Sequence, residues 1–303
     1  MTVTQFDIAN DLTDVTDLLT RTLTYDVITN DLVRQHTVRD VDYDPALTLV
    51  ARDGETLVGF MQAVTRPVTF EGGVPTGALK WWAVHPAYEG KGVATALLEQ
   101  VESLMRGRVE SVIVINTGPG YYQSGLDPRY TRAHVWLLYN GYSHVGATVN
   151  LIADLKGRSW DTSEGEVALE MNGVSVRRAT EDDQKIARTF MEAKFPGDWP
   201  NEVDKCFKND PISLHIAVSD GKVVGFAGFD TVNIGLPWFG PMGTVKSARG
   251  QGIGEILLKR CMADQLKQGH PKSIIPWVGP IPFYNKHTGA TVDRIFWTYS
   301  KTL

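Results

Sequence analysis

Glycines recur at positions 250, 252 and 254 in the run Thr244-Val245-Lys246-Ser247-Ala248-Arg249-Gly250-Gln251-Gly252-Ile253-Gly254. A β-like segment leads into this run and an amphipathic helical pattern leaves it. The first amides of a helix lack intrahelical partners and carry partial positive charge. Glycine lets a bulky anion approach that backbone without Cβ interference. The chemistry on offer is capture of a diphosphate. A second run, Val84-His85-Pro86-Ala87-Tyr88-Glu89-Gly90-Lys91-Gly92-Val93-Ala94, repeats the spacing, with Glu89 standing 160 residues before Arg249 in the matching place. A carboxylate is adverse beside a diphosphate unless it turns away, and Lys91 is close enough in sequence to offset it.

Three phosphate-binding patterns compete for these runs. The P-loop pattern G-x-x-x-x-G-K-[ST] is not found in the sequence. The dinucleotide pattern G-x-G-x-x-G fails from Gly250, where Glu255 takes the last place, and from Gly90, where Thr95 does. The pattern Arg/Gln-x-x-Gly-x-Gly/Ala fits Arg249 to Gly254 at every fixed position. Between a strand and a helix, it resembles the coenzyme A loop of the GNAT superfamily of N-acyltransferases. The run Pro282-Phe283-Tyr284-Asn285-Lys286-His287-Thr288-Gly289-Ala290 is similar to a later segment of that family. The resemblance covers Val174 to Leu303. It is weaker in the first half, where Tyr139 precedes Gly141 by two positions while Tyr284 precedes Gly289 by five.

The resemblance implies an acetyl-CoA-dependent transfer to a primary amine of a small molecule or peptide, by direct attack. Thr244 and Val245 would pair with pantetheine. Arg249, Gly250, Gln251, Gly252, Ile253 and Gly254 would hold the diphosphate. In the first half, Val84, Gly90, Lys91, Gly92, Val93 and Ala94 correspond, in a domain read either as degenerate or as a second working site. Tyr284 is the candidate proton donor to the departing thiolate, against a plain packing role. Asp230, His215 and Glu192 are conceivable bases, each equally readable as a satisfied polar residue, and none is assigned. His287 reads as solvent-facing. A non-catalytic acyl-CoA-binding module is the alternative function.

The elements that must position these residues come twice. Leu47–Ala51 and Thr56–Met61 flank Asp53-Gly54-Glu55, and Leu214–Val218 and Val223–Gly228 flank Asp220-Gly221-Lys222, so each half predicts a hairpin. Val93, Leu97, Val101, Leu104 and Met105 make one helical stripe; Ile253, Ile256, Leu257, Cys261 and Leu266 make another. Thr180-Glu181-Asp182-Asp183 predicts a helix start. The expected fold is α/β, with two tandem GNAT-like domains, each a mixed, mostly antiparallel central sheet flanked by helices. The expected boundaries are 1–155 and 173–303, with a polar linker at 156–172.

Composition is that of a soluble globular chain of 303 residues, 43% hydrophobic and 21% charged, with net charge −5. This argues against a nucleic-acid partner. The two cysteines, Cys206 and Cys261, are too few for a disulfide framework. The histidines show no metal-ligand spacing, so no metal is expected. With neither a signal-like start nor a membrane-length apolar run, the expected location is the cytoplasm. The aromatics Trp238-Phe239, Trp277, Phe283, Trp81-Trp82 and Tyr121-Tyr122 read as sheet core or as an acceptor pocket. The loop carrying Tyr121-Tyr122 is long enough to reach over a cleft.

Overall fold

A computed structural model describes residues 1–66, 75–114 and 120–303. The chain forms two compact units: Met1–Thr148 with Phe296–Leu303, and Val149–Ile295. Unit 1 contains β1 (Thr2–Gln5), α1 (Leu12–Thr22), α2 (Asn30–His36), β2 (Thr48–Asp53), β3 (Thr56–Arg66), β4 (Thr76–Val84), α3 (Val93–Met105), β5 (Ser111–Val114) and α4 (Thr131–Tyr139). Strand β6 (Ser143–Asp154) begins in unit 1 and ends in unit 2. Unit 2 continues with α5 (Ser163–Met171), β7 (Val174–Arg178), α6 (Gln184–Lys194), α7 (Trp199–Cys206), β8 (Leu214–Ser219), β9 (Lys222–Phe229), β10 (Phe239–Thr244), α8 (Ile253–Lys267), β11 (Lys272–Ile275) and α9 (Ile281–Thr288). The last strand, β12 (Thr291–Thr302), starts in unit 2, and its residues from Phe296 onward belong to unit 1.

In unit 1 the strands β1-β2-β3-β4-β5 lie in sequence order, antiparallel except for the parallel β4–β5 pair. Ser300, Lys301 and Thr302 then pair antiparallel with Ile113, Val112 and Ser111. In unit 2, β10-β9-β8-β7 form an antiparallel sheet, and β11 pairs with Leu151–Asp154 of β6. Both expected hairpins are present. Gly54 (φ +59°) turns the first; Asp220 (φ +50°) and Gly221 (φ +71°) turn the second with two successive left-handed residues, the geometry a tight hairpin favours.

Each unit packs one long helix against its sheet. Gly59 of β3 has room only for hydrogen: a Cβ there would lie 2.6 Å from Val93 and 3.1 Å from Leu97 of α3. Gly225 of β9 plays the same part for Ile253 and Leu257 of α8, at 3.1 and 3.2 Å. Val93, Leu97, Val101 and Met105 are buried on one side, and Ile253, Ile256, Leu257 and Cys261 on the other. Each large apolar side chain so buried stabilises by about 1.5–3 kcal/mol. Leu104, placed in the first stripe by spacing, is 40% exposed. Thr180 and Asp183 form a reciprocal capping box ahead of α6.

The unit boundaries differ from those expected at 1–155, 156–172 and 173–303. The stretch read as linker holds helix α5, which buries Leu169 and sets Gly165 against Ile256 of α8. Its amphipathic signal is one buried side chain, too thin to register as a period. The closing strand is divided between the units at Phe296, which the sequence did not show because strand pairing is non-local and leaves no mark at the residues concerned.

Candidate functional site

Strand β10 is an edge strand of its sheet. Among the described residues it pairs along its length only with β9, and it meets β11 at a single bridge, Trp238 to Ile274. From Phe239 to Thr244 no strand pairs with the far edge among the described residues; the Gly240 and Thr244 carbonyls accept from Thr231 Oγ1 and Arg249 Nε at 2.9 and 3.1 Å, and the remaining backbone groups can pair with an extended amide-bearing ligand as an added strand would. The register with β9 shifts between Phe239 and Met242, so Gly240 and Pro241 form a bulge. Gly240 has φ +120° and faces open space: a Cβ there meets nothing within 4 Å.

Beyond Thr244 the chain makes one 3-10 turn (Lys246–Ala248) and then the glycine loop. Gly250 (φ +83°) and Gly252 (φ +89°) are left-handed, and a Cβ added to either meets nothing within 4 Å. Gly252 is the N-cap of α8 and supplies no side-chain cap. The amides of the first turn are thus left for an outside acceptor, at the positive end of a 15-residue helix. Arg249 Nε donates to the Thr244 carbonyl at 3.1 Å, tying the loop back to the strand end. Gly254 has a different surrounding: a Cβ there would touch the Phe283 ring at 3.4 Å and Met242 at 3.8 Å.

Helix α9 walls the other side. The Tyr284 ring meets Phe239 of β10 edge to face at 6.1 Å and Phe283 at 5.2 Å. Tyr284 is 8% exposed, and its phenol has no hydrogen-bond partner among the described residues. Burial alone pushes its pKa above the usual tyrosine value, so it holds its proton at neutral pH. His287 is half-buried rather than solvent-facing. Its ring packs on Phe283 at 4.9 Å, and Nδ1 lies 3.2 Å from Glu255 Oε2 in the first turn of α8. A single sequence position gave no sign of this tertiary partner.

The three conceivable bases have other engagements. His215 is buried, with Nε2 2.6 Å from Asp264 Oδ2, while Arg260 Nε donates to its Nδ1 at 3.1 Å. Both ring nitrogens are therefore taken, and burial holds its pKa below the usual histidine value. Asp230 accepts from Gln268 at 2.9 Å, and Glu192 accepts from Arg188 at 2.7 Å. Cys206 and Cys261 are fully buried, and desolvation pushes the Cys206 thiol up to about 12. Among the described residues no group of three or more His, Cys, Asp or Glu is arranged to hold a metal.

Unit 1 reproduces the loop. Gly90 (φ +72°) and Gly92 (φ +80°) are left-handed and open, and Gly92 caps α3 without a side-chain bond. Val84 ends β4, Val93 opens α3 and is buried, and Ala94 follows it in the first turn. Glu89 turns to an ion pair with Arg132 of α4, and Lys91 lies over the Tyr88 ring at 4.9 Å. The β4 bulge is filled, however. Lys80, which stands where Gly240 does in unit 2, is buried in an ion pair with Asp40, and Trp81 packs edge-on against Tyr122 at 4.9 Å. Tyr121 and Tyr122 are buried rather than reaching over a cleft, and the Tyr122 hydroxyl donates to the Val27 carbonyl at 2.7 Å. Residues 115–119 of that loop lie outside the described residues. Tyr139 is 87% exposed. What spacing missed was the run Gly240-Pro241-Met242-Gly243, whose two glycines, three positions apart, open the bulge and admit an aromatic ring; a glycine pair within a strand was the available signal.

The chain matches the model of the acetyltransferase (GNAT) family over residues 12–121 and again over 182–288. Similar solved structures share its fold. A GCN5-related glucosamine N-acetyltransferase region of a fungal multi-domain GH3 β-N-acetylglucosaminidase superposes with TM-score 0.81 at 19% identity, over 99% of this chain and 38% of that one. The chain thus spans well under half the length of that protein. A GCN5-related N-acetyltransferase from Sphaerobacter thermophilus gives 0.70 at 17% identity, over 99% and 95%. A tandem GNAT protein from the clavulanic acid biosynthesis pathway gives 0.68 at 17%, over 99% and 98%. No curated protein matches the chain. With the family's pattern found in both halves and the glycine loop built at each, the chain belongs to the GNAT family of acetyltransferases.

Proposed function

We propose that this chain is a cytoplasmic N-acetyltransferase that moves an acetyl group from acetyl-CoA to a primary amine in unit 2. The observation that carries the reading is the open cradle at Gly250 and Gly252, where an added Cβ would occupy the space a diphosphate needs. Acetyl-CoA would supply the activated acetyl group. The amides from Gly250 to Gly254 would hold its diphosphate, and the edge of β10 would pair with its pantetheine arm at the Thr244 amide, the Val245 amide and carbonyl being bonded to Val224 and Ala248. Gly90, Lys91 and Gly92, with Val84, Val93 and Ala94 around them, would hold a second CoA in unit 1.

Tyr284 keeps its proton because it is buried, and its role is to hand that proton to the departing sulfur as the C–S bond breaks and the C–N bond forms. The surplus proton of the amine leaves to solvent, and Tyr284 is reprotonated there. Assignment of transfer to unit 2 is supported by Gly240, which leaves the β10 bulge open where Lys80 and Trp81 fill that of β4. Tyr139, exposed in α4, offers no counterpart to Tyr284.

The second reading is an acyl-CoA-binding module without turnover. It is favoured by one observation: Trp238–Gly243 carries no acid to serve as base. Release of free thiol from acetyl-CoA with a panel of primary amines tests the choice. Amine-dependent release supports the transferase. A thermal shift with CoA and no release on any amine supports the module.

A further inference from the structure

Gly243 sits one residue before the end of β10, and the reason it is glycine is visible across the sheet. A Cβ there would lie 2.7 Å from Phe195 Cε1 and 2.8 Å from its Cζ, so the Phe195 ring rests directly on the strand backbone. Phe226, the cross-strand partner of Gly243, lies beneath. Phe195 stacks on Trp199 (5.5 Å, 27° between planes) and meets Phe226 edge-on at 5.3 Å, while Phe190 lies 5.7 Å from Phe195. Phe226 is fully buried, but Phe190, Phe195 and Trp199 each keep part of their surface in solvent. This wall lies on the face of β10 to which the open bulge at Gly240 belongs, opposite Met242 and α8. The carboxylates along α6 and α7 are engaged: Asp183 ahead of α6 with Arg177, Glu192 and Asp204 with Arg188, and Asp198 and Glu202, which flank Trp199, with partners of their own. A second cationic group on a ligand therefore finds its counter-charges already spent, while an apolar body finds aromatic surface.

We infer that the amine accepted by unit 2 is carried on an aromatic or bulky apolar skeleton, which packs against Phe190, Phe195 and Trp199 while the amino group reaches the β10 bulge. This rests on unit 2 being the transferring half. Aromatic contacts of this kind contribute by burial and by ring geometry, and their loss weakens acceptor binding without touching the diphosphate loop.

The test compares 2-phenylethylamine with putrescine on the full chain. Turnover with acetyl-CoA and calorimetric binding of each amine are measured in parallel. The expected result is a kcat/KM at least about tenfold higher for 2-phenylethylamine, and a rise of about tenfold in its KM and Kd in Trp199→Ala, with KM for acetyl-CoA unchanged. Trp199→Leu, which keeps apolar bulk against Phe226, guards against unfolding and is expected to lose less. Preference for putrescine, or unchanged 2-phenylethylamine binding in a folded Trp199→Ala, overturns the inference. Saturable binding of 2-phenylethylamine without turnover would support the apolar site while sinking the transferase reading.

Discussion

Tyr284 is placed by its neighbours and tuned by its burial. Phe239 and Phe283 fix the ring from two sides, and no described group takes its hydroxyl. Tyr284→Phe keeps that packing and removes only the hydroxyl. Steady-state kinetics should show kcat reduced on the order of 10²-fold with little change in KM for acetyl-CoA. Because burial raises the pKa above its ordinary value, the wild-type rate should not fall between about pH 8 and about pH 10 from loss of this proton. An unchanged kcat in Tyr284→Phe would contradict the assignment, and a decline in that pH window that vanishes in the variant would contradict the raised pKa.

At the scale of elements, a polar chain joins α5, β8 and α8 within unit 2. Thr162 donates to Glu166 at 2.5 Å, Arg260 bridges Glu166 at 2.5 Å and His215 at 3.1 Å, and Asp264 takes His215 and Arg178, each at 2.6 Å. Arg260→Met leaves His215 Nδ1 without its donor and Glu166 without its cation. Denaturant melts should show a loss of about 1–2 kcal/mol, kept modest because Arg260 and Glu166 are about a quarter exposed. The network also predicts a pH dependence. Burial lowers the folded-state pKa of His215 below its unfolded value near 6.5. The unfolded chain then binds more protons just below that pH, so stability is full above it and falls as pH drops through it. Melting temperatures from about pH 7.5 to about pH 5.5 should therefore decline less steeply in His215→Gln than in the wild type.

Across the whole molecule, the sequence was most legible where local physics decides. Alternate glycines between a strand and a helix marked both loops, because left-handed backbone at Gly90, Gly92, Gly250 and Gly252 has a strong residue preference. The hairpins and the two long helices were legible through turn chemistry and apolar spacing. Helix α5 was not, since a single buried leucine leaves no period. The split of β12 was hidden in pairings made over long sequence distances, as were the partners of Glu89, His287 and Tyr122. The two loops nevertheless share one backbone geometry, and that yields a prediction for the molecule as a pair of units. Calorimetry with CoA should find two sites on the wild type. Gly92→Asp should remove one of them while thiol release in the presence of an amine persists.

The proposed transfer requires the backbone from Gly250 to Gly254 to hold the diphosphate of the acyl donor. Its most direct test is titration of CoA into Gly252→Asp, followed by the thiol-release assay. The added side chain enters open space in the fold, at the cost of about 1 kcal/mol of left-handed strain, so the protein should remain folded. Folded Gly252→Asp is expected to lose one CoA equivalent together with all amine-dependent turnover. Undiminished turnover in folded Gly252→Asp, with turnover lost in Gly92→Asp instead, would contradict that requirement.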